Sequence, residues 1–168
     1  MSHETNGMTD MLVRLYDLPS PQPLIVKLAA QQIQIRRPRA YEKNLVLAWV
    51  EKHFSRGWAS ECDVCFSNRP VSAHIATFEN DIVGFSCHES TCKNFFGPVG
   101  VLEPFRNLGL GRCLLLTSLH AMQDLGYAYA IIGGPTTAIG FYRQVVGATC
   151  IDGSTPGIYV DRLKGSDS

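Results

Sequence analysis

The residues from Phe95 to Leu125 combine an apolar strand, a glycine-containing turn and a helix in a pattern that could bind an anion. Phe95 to Leu102 is the predicted strand, and Arg106, Gly109 and Gly111 lie in the turn that leads at once into the helix. A helix start leaves about four backbone N–H groups without intrahelical partners and carries about half a positive charge. Glycine lets such a backbone approach a ligand closely. The pattern therefore predicts phosphate binding.

Two arginines strengthen this interpretation. Arg106 and Arg112 both lie beside the positive end of the predicted helix, where a basic side chain is disfavoured unless an anion is also present. The spacing contains no Gly-x-Gly-x-x-Gly and no Gly-Lys-Ser/Thr, so it argues against Rossmann and Walker phosphate loops. An ordinary strand, turn and helix with turn glycines is the alternative.

The segment Arg106-Asn-Leu-Gly109-Leu-Gly111, five residues after Val101, resembles the signature of the GNAT superfamily of N-acetyltransferases. In that signature a strand ending in Val precedes Arg/Gln-x-x-Gly-x-Gly/Ala at a helix start. The resemblance implies acetyl-CoA as co-substrate and a pyrophosphate held beside Arg106 by six backbone N–H groups, those of Asn107, Leu108, Gly109, Leu110, Gly111 and Arg112.

The resemblance also concerns the strand before the turn. It implies that the backbone of Val99 and Val101 pairs with the pantetheine arm of coenzyme A, as an added strand would. One departure is Pro104, which stands two residues before Arg106, where many members have it three before. The turn is therefore expected to differ in detail from the common pattern.

Composition limits the class of protein. A chain of 168 residues fits one domain, and 15 basic residues balance 15 acidic ones, which argues against a nucleic-acid binder. Residues 1–10 are polar and contain no apolar segment typical of a signal or membrane anchor. We expect a disordered tail over 1–10, a single domain over 11–164 whose residues 11–39 form an N-terminal extension with the first strand, no membrane association and a cytoplasmic location.

Six cysteines invite a comparison with metal sites. Cys62 and Cys65 have the C-x-x-C spacing, and Cys87-His88 is followed by Cys92. The two clusters lack the paired short spacings of a zinc ribbon, and Cys62 and Cys65 fall on a predicted helix. The prediction is therefore reduced, packed thiols and no metal. A zinc-dependent module or a thiol redox sensor is the alternative.

The first half of the chain predicts helices that could form a wall of a binding site. Tyr41 to Phe54 has the apolar spacing of an amphipathic helix, and Trp58 to Phe66 follows as a shorter one. In GNAT enzymes this pair forms one wall of the acceptor site, so the resemblance implies that Phe54 and Trp58 present an aromatic surface there. Simple packing of both rings on the sheet is the alternative.

After residue 71, strands and helices alternate, which indicates α/β layers with helices on both faces of a mixed sheet. The resemblance, which covers Val71 to Ile151, implies the GNAT fold: a mostly antiparallel sheet splayed between the fourth and fifth core strands. Gly97, Pro98 and Gly100 would then mark a bulge. Predicted strands cover 11–18, 33–39, 71–79, 82–87, 95–102, 127–132, 147–151 and 157–163, and further predicted helices cover 20–31, 109–125 and 137–146.

Acetyl transfer from a thioester to an amine needs a proton donor for the departing thiolate. GNAT enzymes often carry a tyrosine on the short helix after the fifth core strand, and the resemblance assigns this role to Tyr142. One more residue separates Tyr142 from Gly147 than in the common pattern, and Ala148 replaces an aromatic residue. A ring packed on the sheet is the alternative.

The base that accepts the amine's proton is less defined. Phe95 to Leu102 holds no acidic residue, so Glu89 together with His88 is the first candidate. Glu79 and Glu103 are further candidates, and a substrate that needs only water is equally compatible with the sequence. His120, alone on its helix, is expected to be packed or solvated.

The predicted function is transfer of an acetyl group from acetyl-CoA to a primary amine of a small molecule or peptide by direct attack. The alternative is an acyl-CoA-binding sensor that binds without turnover. The acceptor's identity does not follow from the sequence. By analogy with related folds, a homodimer is also expected.

Overall fold

The computed structural model describes residues 9–165, and within them seven strands form one sheet in the order β2-β3-β4-β5-β6-β1-β7. The parallel pair is β5 with β6, and the other neighbouring strands are antiparallel. The strands are β1 (Met11–Arg14), β2 (Ile33–Arg36), β3 (Ala73–Phe78), β4 (Asp81–His88), β5 (Phe95–Val101), β6 (Tyr129–Ile132) and β7 (Thr149–Cys150). The predicted mixed, mostly antiparallel sheet is confirmed.

Helices cover both faces of this sheet. They are α1 (Gln22–Ala29), α2 (Lys43–His53), α3 (Arg56–Cys65), α4 (Leu110–Asp124) and α5 (Ile139–Val146). On β4, Phe85 packs among residues of α2 and α3, whereas the neighbouring Ser86 contacts α4. Successive strand residues point to opposite faces, so α2 and α3 lie on one face and α4 on the other. None of the helices in residues 9–165 is both long and apolar enough to cross a membrane.

The N-terminal extension contributes a strand that lies between β6 and the edge strand β7. β1 pairs antiparallel with β6 on one side and with β7 on the other. Met11 and Val13 of β1 are completely buried, so the alternation seen in the sequence serves the core. The disordered tail predicted for residues 1–10 falls mostly on residues 1–8, which lie outside the described residues.

The strand predicted for 157–163 was wrong. The structure has no strand there, and Ile158, Val160 and Leu163 are exposed. Two physical reasons account for the difference. β1 already occupies the side of β6 that the closing strand would need. In addition, Gly157 has a left-handed φ of 59°, which breaks an extended run.

The sheet opens between β5 and β6, as the resemblance implied. Their pairing is limited to Phe95 with Ile131 and Phe96 with Ile132. Beyond Phe96, β5 continues to Val101, while β6 ends at Ile132 and the chain turns through glycines. The register of β4 against β5 shifts between Ser86 and His88, which confirms the predicted bulge. A slot therefore lies beside residues 97–101 of β5, called here the open edge.

Candidate functional site

The open edge of β5 carries backbone groups that no strand pairs with. The N–H of Leu102 donates to the carbonyl of Val83 at 2.9 Å, so Leu102 turns its backbone groups toward β4. Because backbone groups alternate in direction along a strand, those of Val101 and Val99 point the other way, into the slot. This is the arrangement expected for pairing with an extended ligand.

The start of α4 holds six consecutive backbone N–H groups, those of residues 107–112, without an acceptor among the described residues. The N–H of Arg106 donates to the carbonyl of Glu103, and the first helical bond runs from the N–H of Cys113 to the carbonyl of Gly109. Buried or half-buried backbone donors normally have partners. Residues 106–112, called here the anion socket, therefore offer a row of donors to an external anion.

The two glycines of the anion socket differ in what requires them. Gly109 has φ of 83°, and an added Cβ would lie 3.0 Å from Cδ2 of Leu24 in α1. Gly111 differs, because the nearest atom to an added Cβ is Cγ2 of Val101 at 3.8 Å. Asn107 is also left-handed, with φ of 64°. Gly109 is thus required by the fold, whereas the space above Gly111 lies between α4 and the end of β5.

Two arginines border the socket. The Nε of Arg106 donates to the carbonyl of Val101 at 3.1 Å, although most of the side chain is exposed. Arg112 is exposed on the first turn of α4. Both charges lie at the positive end of the helix and thus favour an anionic ligand.

Tyr142 lies on α5 on the same face of the sheet as α4. Its ring makes an edge contact with Phe96, with a centroid distance of 6.3 Å, and it belongs to the core cluster that contains Leu115 and Leu119. Its hydroxyl has no hydrogen-bond partner among the described residues. Burial raises the pKa of Tyr142 to about 12. The group is therefore a neutral phenol beside the residue at which β5 and β6 stop pairing.

On the opposite face, an aromatic pair covers the open edge. A Cβ on Gly100 would lie 2.4 Å from the ring of Phe54, so this ring rests directly on the strand backbone. The Phe54 and Trp58 rings stack at 5.3 Å, and both contact Phe85. Both rings are half-buried. The two interpretations left open by the sequence are therefore compatible, since the rings pack on the sheet and also border the slot.

The structure does not bring Glu89 together with Tyr142. One oxygen of Glu89 accepts the N–H of Asn94 at 2.7 Å, and the other accepts the hydroxyl of Tyr127 at 3.1 Å. Lys93 lies 3.4 Å from the same carboxylate. These contacts are at the start of β5, before the slot opens. Glu79 and Glu103 are exposed, and His120 contacts the carbonyl of Pro19 at 2.8 Å.

His88 belongs to a buried polar cluster that sequence reasoning missed. Nδ1 of His74 lies 3.2 Å from Oγ of Ser118, which lies 2.7 Å from Oγ of Ser86. The His88 ring stacks on His74 at 5.8 Å, and its Nδ1 is buried without a partner among the described residues. Burial, with the charge of Arg37, lowers the pKa of His74 to about 3 and of His88 to about 4.

Three cysteines pack together beneath α3. Cys62 and Cys65 lie on this helix, as predicted, and both are completely buried with Cys87 of β4. Burial raises the pKa of Cys87 well above its usual value. Among residues 9–165 no group of three or more histidine, cysteine or acidic side chains has the geometry of a metal site.

A second set of residues at the slot also escaped sequence reasoning. Asp10 is buried, and its Oδ1 accepts the N–H of Gly134 at 3.0 Å in the turn after β6. The N–H of Asp10 donates to Oγ of Ser154 at 2.9 Å. Asp10 therefore fixes the glycine turn that borders the slot to the C-terminal segment. Asp10 is more than a hundred positions from both Gly134 and Ser154 in the sequence, so these contacts become visible only once the pairing of β1 in the sheet is known.

Comparisons with known proteins agree with this geometry at the level of the fold. A scan against models of protein families and a search of curated proteins give no match. Similar solved structures include a GCN5-related glucosamine N-acetyltransferase region of a fungal multi-domain β-N-acetylglucosaminidase, with 15% identity and a TM-score of 0.67. The alignment covers 85% of this chain and 19% of that chain.

Two bacterial structures extend the comparison. A GCN5-related N-acetyltransferase from Sphaerobacter thermophilus has 21% identity and a TM-score of 0.63, over 85% of this chain and 48% of that one. A GNAT family acetyltransferase from Brucella melitensis, solved with acetyl-CoA, has 16% identity and a TM-score of 0.53. That alignment covers 71% of this chain and 86% of the Brucella chain. The chain thus spans 19% of the length of the fungal protein and 48% of that of the Sphaerobacter protein. These structural similarities show that the chain has the GNAT fold.

Proposed function

We propose that this chain, which has the GNAT fold, is an N-acetyltransferase that moves an acetyl group from acetyl-CoA to a primary amine of a small molecule or peptide. The observation that carries the proposal is the row of six unpaired N–H groups at residues 107–112. A pyrophosphate offers anionic oxygens to such donors, and Arg106 and Arg112 add positive charge. The acetyl-CoA in the Brucella structure supports the same co-substrate.

The open edge of β5 leads from the anion socket to the point where β5 and β6 separate. The backbone groups of Val101 and Val99 would pair with the amides of the pantetheine arm. An arm held in this way would bring the thioester toward Phe96 and the turn that starts at Gly133. Fixing both reactants in place can supply a large part of the rate enhancement of such a transfer.

Tyr142 is the proposed acid at the departing thiolate, and it acts there as a hydrogen-bond donor. Coenzyme A thiol resembles cysteine, whose pKa is about 8.5, whereas the pKa of Tyr142 is about 12. The phenol therefore stays protonated while the thiolate forms, and it can donate a hydrogen bond to the sulfur. Its hydroxyl is available for this role because no described residue accepts from it.

Glu89 stays a predicted base for the incoming amine. Its carboxylate already accepts from Asn94 and Tyr127, so a base role would require water to connect it to the slot. A Glu89→Gln variant assayed across pH tests this role, because a base that titrates in the enzyme must change the profile. An unchanged profile would exclude it.

Calorimetry with coenzyme A, followed by an assay for thiol release, tests the proposed function. We expect coenzyme A to bind and acetyl-CoA to release thiol with at least one amine from a panel of glucosamine, putrescine, lysine and a short peptide. Glucosamine leads the panel because a structural neighbour is named for it. Binding without turnover would favour the sensor alternative, and absence of binding would overturn both.

A further inference from the structure

The C-terminal segment, residues 151–165, brings Tyr159 to the point where β5 and β6 separate. A Cβ built on Gly133 would lie 2.7 Å from the Tyr159 hydroxyl and 3.2 Å from the ring of Phe95. Gly133 directly follows β6, and Phe95 is the first residue of β5. The tyrosine therefore rests on the closed end of the slot.

Tyr159 and Tyr142 contact the slot from opposite faces. Phe96 packs against Tyr142 on the α4 face, so the adjacent Phe95 points to the face that carries α2 and α3. Phe54 covers Gly100 on that same face. The α2 and α3 face thus presents Tyr159 at one end of the slot and the Phe54–Trp58 pair along it.

Glu61 of α3 is hydrogen-bonded to the loop that connects β4 to β5. Its Oε1 accepts from the Thr91 hydroxyl at 2.6 Å, and the neighbouring Ser90 hydroxyl donates to the carbonyl of Gly97 at 2.8 Å. The loop therefore fixes the carboxylate of Glu61 relative to the bulge of β5. Glu61 is half-buried, so it is reachable by a ligand.

The charges around Tyr159 are mixed. Burial raises the pKa of Tyr159, and the negative charges of Glu61 and Asp10 raise it further. The carboxylate of Asp10 already accepts from Gly134, and the guanidinium of Arg162 lies 5.9 Å from the centre of the Tyr159 ring. Glu61 is thus the carboxylate that α3 brings to this part of β5, because its loop is bonded to Gly97, two residues after Phe95.

We propose that Glu61 and Tyr159 form the acceptor subsite and that it takes a primary ammonium compound. This proposal rests on the acetyltransferase function proposed above. The carboxylate of Glu61 pairs with the ammonium group as it binds, and the Tyr159 hydroxyl accepts a hydrogen bond from it. The bound ammonium then loses one proton to a base before its nitrogen attacks the thioester. The half-buried Phe54–Trp58 pair contacts the rest of the molecule with the ring surface that their mutual stacking leaves open.

Calorimetric titration of glucosamine and of putrescine into the protein saturated with coenzyme A tests this subsite. A hydrogen bond to a charged group contributes about 1.5–3 kcal/mol, so Glu61→Gln should weaken binding of the better amine about tenfold or more. Tyr159→Phe should weaken it several-fold. Asp63→Asn is the matched control, because Asp63 lies on the same helix and pairs with Lys43 on the surface.

The affinity for coenzyme A should stay within about twofold in all three variants, since none touches the anion socket. Equal amine affinity in the wild type, Glu61→Gln and Tyr159→Phe would overturn the proposal, as would failure of both amines to bind the saturated wild type. In either case intact coenzyme A binding leaves the proposed function standing. If Glu61→Gln fails to fold, Tyr159→Phe alone decides.

Discussion

The carbonyl oxygen of Val101 accepts a hydrogen bond from Nε of Arg106 at 3.1 Å. Val101 is the last residue of β5, and Arg106 opens the turn before α4. One side chain thus connects the open edge of the sheet to the anion socket, and this side chain is exposed. The two parts of the proposed coenzyme A site are therefore held in a fixed relation.

Replacing Arg106 with alanine should weaken coenzyme A binding about tenfold at low salt, because it removes a positive charge and the bond to Val101. Added salt should reduce the difference between variant and wild type. The free energy of unfolding should change by less than about 1.5 kcal/mol, since the lost bond is exposed. Calorimetry at two salt concentrations measures this, with Arg56→Ala as the surface control. Equal affinities at low salt would contradict the prediction.

Gly111 offers a sharper test of the socket, because the backbone conformation at this position does not require glycine. An added Cβ meets only Val101 at 3.8 Å, so Gly111→Ala should fold normally and still bind coenzyme A. Gly111→Val should fill the space between α4 and β5 and weaken binding by about tenfold or more. Thermal unfolding and calorimetry on both variants separate the two effects. A valine variant that folds and binds like the alanine variant would place the pyrophosphate elsewhere.

The order of the core elements and the socket could be predicted from the sequence because their signals are local. The Arg106 to Gly111 spacing and the apolar run of β5 need only neighbouring residues, and the strand, turn and helix follow in chain order. The bulge at Gly97 and Pro98 was likewise visible as residues that disrupt a regular strand. Such features depend on backbone geometry, which short segments determine.

The acceptor side could not be predicted in this way. Tyr159 reaches Gly133 only because β1 takes the sheet position beside β6 and leaves the C-terminal segment outside the sheet. Glu61 was one acidic residue among others on a helix, and its relation to Thr91 depends on how a distant loop folds. Contacts of this kind are long-range, and no periodicity or motif in a single sequence specifies them.

The buried histidines predict an acid-sensitive fold. The pKa of His74 is lowered to about 3 and that of His88 to about 4, whereas an unfolded histidine titrates near 6.5. As pH falls below about 6.5 the unfolded chain binds protons first, so the free energy of unfolding falls by up to about 1.4 kcal/mol per pH unit for each histidine. This loss continues to the folded pKa.

His88→Leu removes the ring whose Nδ1 has no partner among the described residues. Between pH 6.5 and 4, the slope of the free energy of unfolding against pH should therefore decrease by the equivalent of one proton. Urea unfolding at several pH values measures the slope. His53→Gln, an exposed histidine at the end of α2, serves as the control for losing a surface histidine. An identical slope in His88→Leu and the wild type would show that His88 is protonated in the fold.

Replacing Tyr142 with phenylalanine should separate catalysis from stability. Turnover should fall by about 100-fold, as for loss of one hydrogen-bond donor to developing negative charge, with coenzyme A affinity unchanged. Stability near pH 7 should be retained, because the hydroxyl has no partner among the described residues. Above pH 10 the unfolded tyrosine ionises while the folded one stays neutral up to about pH 12, so the wild type should lose stability more steeply than the variant. Steady-state kinetics and unfolding from pH 7 to 12 test both effects, with Tyr41→Phe as the control because Tyr41 is exposed. Near-wild-type turnover would remove Tyr142 from the proposed mechanism.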